Sequence, residues 1–385
     1  MNARTSTNAT STVPAIETLP ASIVNVADHM HFAETRLDPQ AWAYFSGGAG
    51  DEITLRANRD AWNSIHIVPR VMRAMPGGHT RVSLLGKTLL HPLLLAPVAF
   101  QQLAHADGEL ASAYAAAVNG AGMVLSTQSS TGLESVAAAF KSEASAGPLW
   151  FQLYMQHDRG FTRDLVLRAE AAGYEALVLT VDAASSGARD GERRVQFKLP
   201  AHISAVNLQG LPPWQMPPLA AGESAMFDRL LMHAPTWDDI DWLKSISKLP
   251  VIIKGVLHEA DAAIAIDRGA DGLVVSNHGG RTLDTVPATA SVLPRIADTV
   301  SGRIPLLVDG GIRRGTDVLK AIGLGATAVM IGRPYVCGLA NAGAVGVAHV
   351  LRLLCDELEI AMALSGVATL ADAKSVINPP TVNYK

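Results

Sequence analysis

From residue 93 onward, short apolar runs recur along the chain, each separated from the next by a helix-like segment and each ending on polar residues or Gly. Eight such runs can be counted. They are residues 93–97 (LLLAP), 123–127 (MVLST), 149–154 (LWFQLY), 176–182 (ALVLTVD), 250–255 (PVIIKG), 272–278 (GLVVSNH), 305–311 (PLLVDGG) and 328–334 (AVMIGRP). Continuous apolar runs of this length read as strands buried on both faces, as in a parallel sheet. Between them lie Ala-rich amphipathic stretches such as FTRDLVLRAEAAG and HEADAAIAIDRGA, each closing on Gly at the expected helix end. Strand and helix alternating eight times predict an α/β fold, a closed (β/α)8 TIM barrel with an N-terminal helical segment before it. An open doubly wound sheet is the competing architecture, and it normally carries a glycine fingerprint directly after its first strand. No such fingerprint is present. The nearest glycines, Gly47, Gly48 and Gly50, follow a helix-like segment and read as a turn. Residues 183 to 236 break the pattern, and a loop that long after strand four is expected to be a lid or partly disordered.

Composition narrows the class. The chain has 385 residues, long for one ordinary domain but within reach of a barrel with insertions, so residues 21–385 are read as one barrel domain. Residues 1–20 are rich in Ser, Thr and Asn, lack the basic start and apolar run of a signal peptide, and are expected to form a disordered tail. Hydrophobic residues make up 49% and charged residues 17%, with a net charge of −4, which excludes a general pull on nucleic acid or other polyanions. Any bound anion must then be held by a few local arginines. Cys337 and Cys355 are the only cysteines, too far apart in sequence for a metal-type pair, so reduced thiols, no metal and a cytoplasmic setting are expected. Every apolar block is cut short by Gly, Pro or charge, so no membrane span is expected either.

Candidate chemistry concentrates at the ends of the strands, where barrels of this kind place their catalytic groups. Ser126 and Thr127, Gln152 and Tyr154, Thr180 and Asp182, Lys254, Ser276 and His278, Asp309, and Gly332 with Arg333 all sit there. One such residue is more often structural; seven ends agreeing makes coincidence a poor explanation. The run Asp309-Gly310-Gly311-Ile312-Arg313-Arg314-Gly315 after strand seven, followed by Gly332-Arg333 after strand eight, has the makings of a phosphate site. Small residues let backbone N–H groups approach the anion, and guanidinium forks match its oxygens. In Ser276-Asn277-His278-Gly279-Gly280-Arg281 a titratable base lies three residues from a permanent cation. That suits a base working on an anionic substrate, with Arg281 fixing a carboxylate while His278 removes a nearby proton. Asp182 could orient the imidazole from strand four.

The motifs FQLY, LTVD, IKG, SNHGGR, DGGIRRG and IGRP, in this order, resemble the FMN-dependent 2-hydroxy acid oxidase and dehydrogenase family, which includes glycolate oxidase, lactate oxidase and mandelate dehydrogenase. The resemblance runs from Trp42 to the helix after strand eight. It implies FMN as cofactor and a base-assisted oxidation of an (S)-2-hydroxy acid. Tyr44, Arg281 and Arg189 would hold the substrate carboxylate, Tyr154 its hydroxyl, with His278 as base and Asp182 as its partner. Lys254 would face the flavin where negative charge gathers on reduction. Ser126, Gln152, Thr180 and Ser276 would touch the ring or ribityl chain, Asp309 the ribityl hydroxyls, and Gly310, Gly311, Arg313, Gly332 and Arg333 the phosphate end. Backbone around Pro97, Val98 and Ala99 would lie under the flavin. The resemblance further implies a homo-oligomer, tetramer or octamer. With no haem-binding domain read ahead of the barrel and no membrane-anchoring segment read within it, O2 is the expected acceptor, with a soluble quinone or carrier protein as the alternative. A separate alternative is a phosphate-binding isomerase or aldolase barrel using Lys254 as a Schiff-base amine. Three positions depart from the family pattern: Gln128 stands where short-chain oxidases carry an aromatic, Ser185 and Ser186 replace larger loop residues, and Thr282 replaces a Gln. The first two imply room for a substrate larger than glycolate, mandelate-like or longer in chain; the third implies only a change of local packing.

Overall fold

In a computed structural model the described residues are 17 to 378, so the tail expected over residues 1–20 lies outside them except for its last four positions, which form no regular element. Eight parallel strands close into a barrel: β1 (Leu93–Leu95), β2 (Gly122–Leu125), β3 (Leu149–Leu153), β4 (Ala176–Thr180), β5 (Val251–Val256), β6 (Gly272–Val275), β7 (Leu306–Val308) and β8 (Ala328–Ile331), with β8 pairing back onto β1. All eight apolar runs are strands, and most stop short of the polar residues that end each run. Ala96 and Pro97, Ser126 and Thr127, Asp182, Ser276 to His278 and Asp309 to Gly311 leave the ladder and form the loops of one barrel mouth.

Three helices precede the barrel, α1 (Val26–Arg36), α2 (Pro39–Ser46) and α3 (Ile53–Ser64). Capping sets the starts of α1 and α2: Asn25 accepts from the Asp28 N–H while Asp28 reaches back, and Asp38 caps α2 ahead of a first-turn proline. Around the barrel run α4 (Gly108–Val118), α5 (Leu133–Phe140), α6 (Arg159–Ala172), then α7 (Asp190–Arg194) in the long loop, α8 (Asp238–Ile246), α9 (Glu259–Asp267), α10 (Thr289–Val300), α11 (Gly315–Gly323) and α12 (Arg333–Ser365). Inside the barrel, Leu94, Val124, Trp150, Val178, Ile252, Val274, Leu307 and Met330 interdigitate. A hairpin, Val82–Leu84 with Lys87–Leu89, adds Leu84 and Leu89 to that interior, and Lys87 ties it to Gly147 and Glu175, just ahead of β3 and β4. The hairpin therefore closes the mouth opposite the polar loops.

The long loop after strand four carries α7 and two 3-10 turns, Val206–Leu208 and Leu230–His233. One expectation needs correction: α12 is by length and composition apolar enough to cross a membrane, where no such helix was expected. Its apolarity has a structural use: it is broken at Ala342–Gly343, and two thirds of its most apolar stretch is buried against the rest of the fold. Cys337 and Cys355 are both free thiols, the first buried and the second half-buried.

Candidate active site

The loops of the polar mouth enclose a cavity of about 340 Å³. Its walls come from α2 (Tyr44, Phe45), from the ends of β1 to β8, and from the long loop (Ser186, Arg189, Glu192, Phe197). Two chemically distinct ends result, one lined by Arg313 and Arg333 and the other by His278, Arg281 and Arg189, and they adjoin where Arg333 and Arg281 donate to the same Gly47 carbonyl.

At the first end two guanidinium groups lie half-buried together. Neither Arg313 nor Arg333 has a carboxylate within ion-pair distance among the described residues; Arg333 donates instead to the carbonyls of Phe45, Ser46, Gly47 and Gly279 at 2.7 to 3.1 Å. Burial, then repulsion from Arg281 and Arg313, pushes the Arg333 pKa down to about 9; burial also pushes Arg313 down to about 10. Two dry, mutually repelling cations facing one cavity form a site that a phosphate dianion neutralises. Gly279 must be glycine here: its φ is +63° and a Cβ would lie 2.8 Å from the Arg333 guanidinium.

Between the two ends Lys254, buried, contacts Asp309 at 3.1 Å and donates to Ser276 Oγ at 2.9 Å. Burial works to lower the ammonium's pKa, but Asp309, and after it Asp182, outweigh that and hold it raised. A paired lysine whose pKa is raised is a poor amine nucleophile, which removes the main support for a Schiff-base reading. The second oxygen of Asp309, Oδ1, is buried without a partner. An unpaired buried acceptor is costly, and a sugar-alcohol chain lying toward the phosphate end would satisfy it. The donor set, a phosphate-sized cation pair, an orphan acceptor for hydroxyls and a fixed ammonium between them, fits FMN.

At the second end His278 Nδ1 lies 2.9 Å from Asp182 Oδ1, which leaves Nε2 as the ring nitrogen free to face the cavity. Burial tends to raise the Asp182 pKa; the His278 contact, its hydrogen bond and Lys254 together hold it below the usual carboxylate value. The approach depends on Gly255, whose φ is +114° and where a Cβ would lie 2.6 Å from Asp182. His278 itself has φ +55°, a conformation that is uncommon and strained for a residue with a side chain, and one that recurs at functional sites. Arg281 is half-buried, donates to Gly47 O at 2.9 Å, and lies 5.2 Å above the Tyr44 ring. Its pKa is lowered by burial and next by Arg189. The hydroxyls of Tyr44 and Tyr154 are held protonated, burial raising both pKa values. The result is a neutral donor pair, two cations and a carboxylate-backed imidazole converging on one volume.

Of the residues singled out in the sequence, Tyr44, Pro97, Val98, Ala99, Ser126, Gln152, Tyr154, Thr180, Arg189, Lys254, His278, Arg281, Asp309, Gly310, Gly311, Arg313, Gly332 and Arg333 line this one cavity. Asp182 stands behind the wall. Ser276 is fully buried and is not among the lining residues; its hydroxyl accepts from Lys254 and from the His278 N–H, so it holds the ammonium and the base loop. Of the two loop serines, Ser186 lines the cavity and Ser185 does not; Gln128 lines it as expected. The sequence reading missed Phe100, Phe197 and Glu192. Phe197 stacks on Tyr44 at 5.0 Å between ring centroids, and Glu192 contacts both Arg189 and Arg281. Glu192 and Phe197 lie in the loop after strand four, which has no periodicity to read, and Phe100 lies in the loop after strand one, beyond the polar end of its run.

A sequence model of the family described as FMN-dependent dehydrogenase matches residues 33–378. The chain is 49% identical to an L-lactate oxidase of a Nostoc species over 91% of its length and 97% of the relative's, and 42% identical to glycolate oxidase 1 of Zea mays over 91% and 94%. A crystal structure of mandelate oxidase with (S)-2-phenylpropionate superposes with a TM-score of 0.83 at 39% identity, covering 93% of this chain and 98% of that one. With a family match across nearly all the described residues and a cavity whose donors suit the cofactor, the chain belongs to the FMN-dependent dehydrogenase family and is an enzyme of FMN-dependent 2-hydroxy acid oxidation.

Proposed function

We propose that this enzyme oxidises (S)-2-hydroxy acids larger than glycolate to 2-oxo acids and passes the electrons to O2, giving hydrogen peroxide. The observation that carries the reading is the His278–Asp182 pair set beside Arg281 and Arg189 in the cavity that also holds the phosphate-type arginines. The arginines and Tyr44 would grip the substrate carboxylate, and Tyr154 would donate to or accept from its hydroxyl. His278 would take the proton through Nε2, its new charge balanced by Asp182. FMN, when bound, supplies the two-electron acceptor. Lys254 then sets a fixed positive charge beside it.

For substrate size, lactate oxidase relatives support a short apolar C3 group, and the aromatic faces of Phe100 and Phe197 give such a group an apolar wall. Gln128 and Ser186 on the same wall, and the likeness to mandelate oxidase, favour a second reading with larger acids, although Phe197 folded onto Tyr44 takes part of that room. A panel of glycolate, (S)-lactate, (S)-2-hydroxyoctanoate and (S)-mandelate under air, with peroxide measured, tests both. Glycolate as best substrate overturns the size assignment. Flavin reduction without peroxide overturns the acceptor.

A further inference from the structure

Glu192 is an acid placed among the cations that grip an acid. It lies on α7 of the long loop, lines the cavity, and puts one carboxylate oxygen 3.3 Å from the Arg189 guanidinium and 3.4 Å from that of Arg281. All three side chains are largely withdrawn from solvent, with 17% of Glu192 accessible. In so dry a place unbalanced charge is costly, so the number of charges in the substrate end decides what it admits. Two guanidinium charges less one carboxylate leave a single positive charge. One substrate carboxylate cancels it.

We propose that Glu192 is a specificity-determining residue that restricts the enzyme to 2-hydroxy monocarboxylates by consuming the charge a second carboxylate would need. The inference rests on the reading of Arg189 and Arg281 as the substrate's carboxylate site. Around the substrate end the remaining wall offers a second carboxylate no charge to pair with: Phe100 and Phe197 are apolar, and Gln128 and Ser186 are neutral. The other cations are committed elsewhere: Lys254 is paired with Asp309, and Arg333, although it shares the Gly47 carbonyl with Arg281, would be neutralised together with Arg313 by the phosphate of FMN in the loaded enzyme. A 2-hydroxy dicarboxylate such as malate therefore brings one negative charge too many. Discrimination by an unpaired buried charge is a repulsive device and works without any contact to the preferred substrate.

The test compares wild type, Glu192→Gln and Glu192→Asp as FMN-loaded enzymes. Dissociation constants of pyruvate and oxaloacetate are measured by calorimetric titration, and kcat/KM for (S)-lactate and (S)-malate by anaerobic flavin reduction. Glu192→Gln frees one positive charge, so oxaloacetate affinity relative to pyruvate, and malate preference relative to lactate, each rise tenfold or more. Glu192→Asp keeps the charge and keeps the wild-type ratio. A Glu192→Gln enzyme that loses affinity for both ligands in equal proportion, or a Glu192→Asp enzyme that shifts the ratio as far as the amide does, overturns the proposal and leaves Glu192 a loop brace. If wild type binds neither pyruvate nor lactate, the carboxylate site itself is misplaced and this inference falls with it; if wild type binds pyruvate normally, only the charge argument is at stake.

Discussion

Replacing Asp182 by Asn isolates the charge that backs the base. The amide oxygen can still accept from His278 Nδ1 at the 2.9 Å seen for the carboxylate, so ring orientation survives and only the negative charge is lost. A full charge about 4 Å from the imidazolium centre interacts at roughly 4 kcal/mol with an effective dielectric near 20. The amide dipole recovers part of this, so about 2 to 3 kcal/mol of stabilisation of the protonated imidazole should disappear, the range expected for a hydrogen bond to a charged group. That corresponds to roughly 30- to 150-fold slower proton removal. Because Asp182 lies behind the cavity wall, FMN affinity should hardly change. The assay is anaerobic stopped-flow reduction with (S)-lactate, read at the flavin band near ~450 nm, together with the dissociation constant of FMN. Reduction within threefold of wild type in a fully loaded variant would refute the view that the ion pair drives proton transfer.

Lys254→Met strips Asp309 of its partner and leaves a buried carboxylate unbalanced, a change of about 3 to 5 kcal/mol in similar settings; thermal stability should fall, and the flavin's reduction potential, measured by dye equilibration, should drop. Gln128→Trp should fill the wall and move preference from lactate and longer acids toward glycolate by tenfold or more, as apolar fit is worth roughly 1 to 3 kcal/mol; an unchanged panel means the side chain does not meet the substrate. His29, buried against His349, has its pKa lowered to about 4 by desolvation and then by that neighbour. Since the folded value lies below the unfolded one, its contribution is complete above pH ~6.5 and is lost as pH falls toward the folded value. The Tm difference between pH 7 and pH 5 should therefore shrink in His29→Gln, and an equal difference in both proteins shows that His29 is not the group responsible.

What could be read in the sequence was whatever one run of residues specifies by itself. Strands β1 to β8 are buried on both faces, so each appears as an uninterrupted apolar block, and the polar residues that end each block stand out because they leave the ladder there. Thr180 and Lys254 are legible although they stay in the ladder: each is a polar residue closing an apolar run, and pairing in register across β4 and β5 brings them side by side. Glu192 and Phe197 are the reverse case. They act through partners from α2 and from the loop after β6, and no local pattern announces a contact made by tertiary folding.

The same distinction explains how the base is held. His278 keeps its strained backbone because its neighbours are fixed from outside the barrel: Asn277 exchanges two amide hydrogen bonds with Asn58 of α3, at 2.8 and 3.0 Å. Asn58 also accepts from the Thr289 N–H, and Trp62, one turn further along α3, donates to Gly310 O in the loop after β7 at 2.8 Å. One helix preceding the barrel thus braces both the base loop and the start of the phosphate loop. Buried and fully paired polar contacts of this kind rigidify the groups they join, and loss of one partner leaves the other unsatisfied in a dry place. The barrel strands supply the reacting groups, while the chain ahead of the barrel fixes their spacing, so α3 belongs to the catalytic unit as much as the strand ends do.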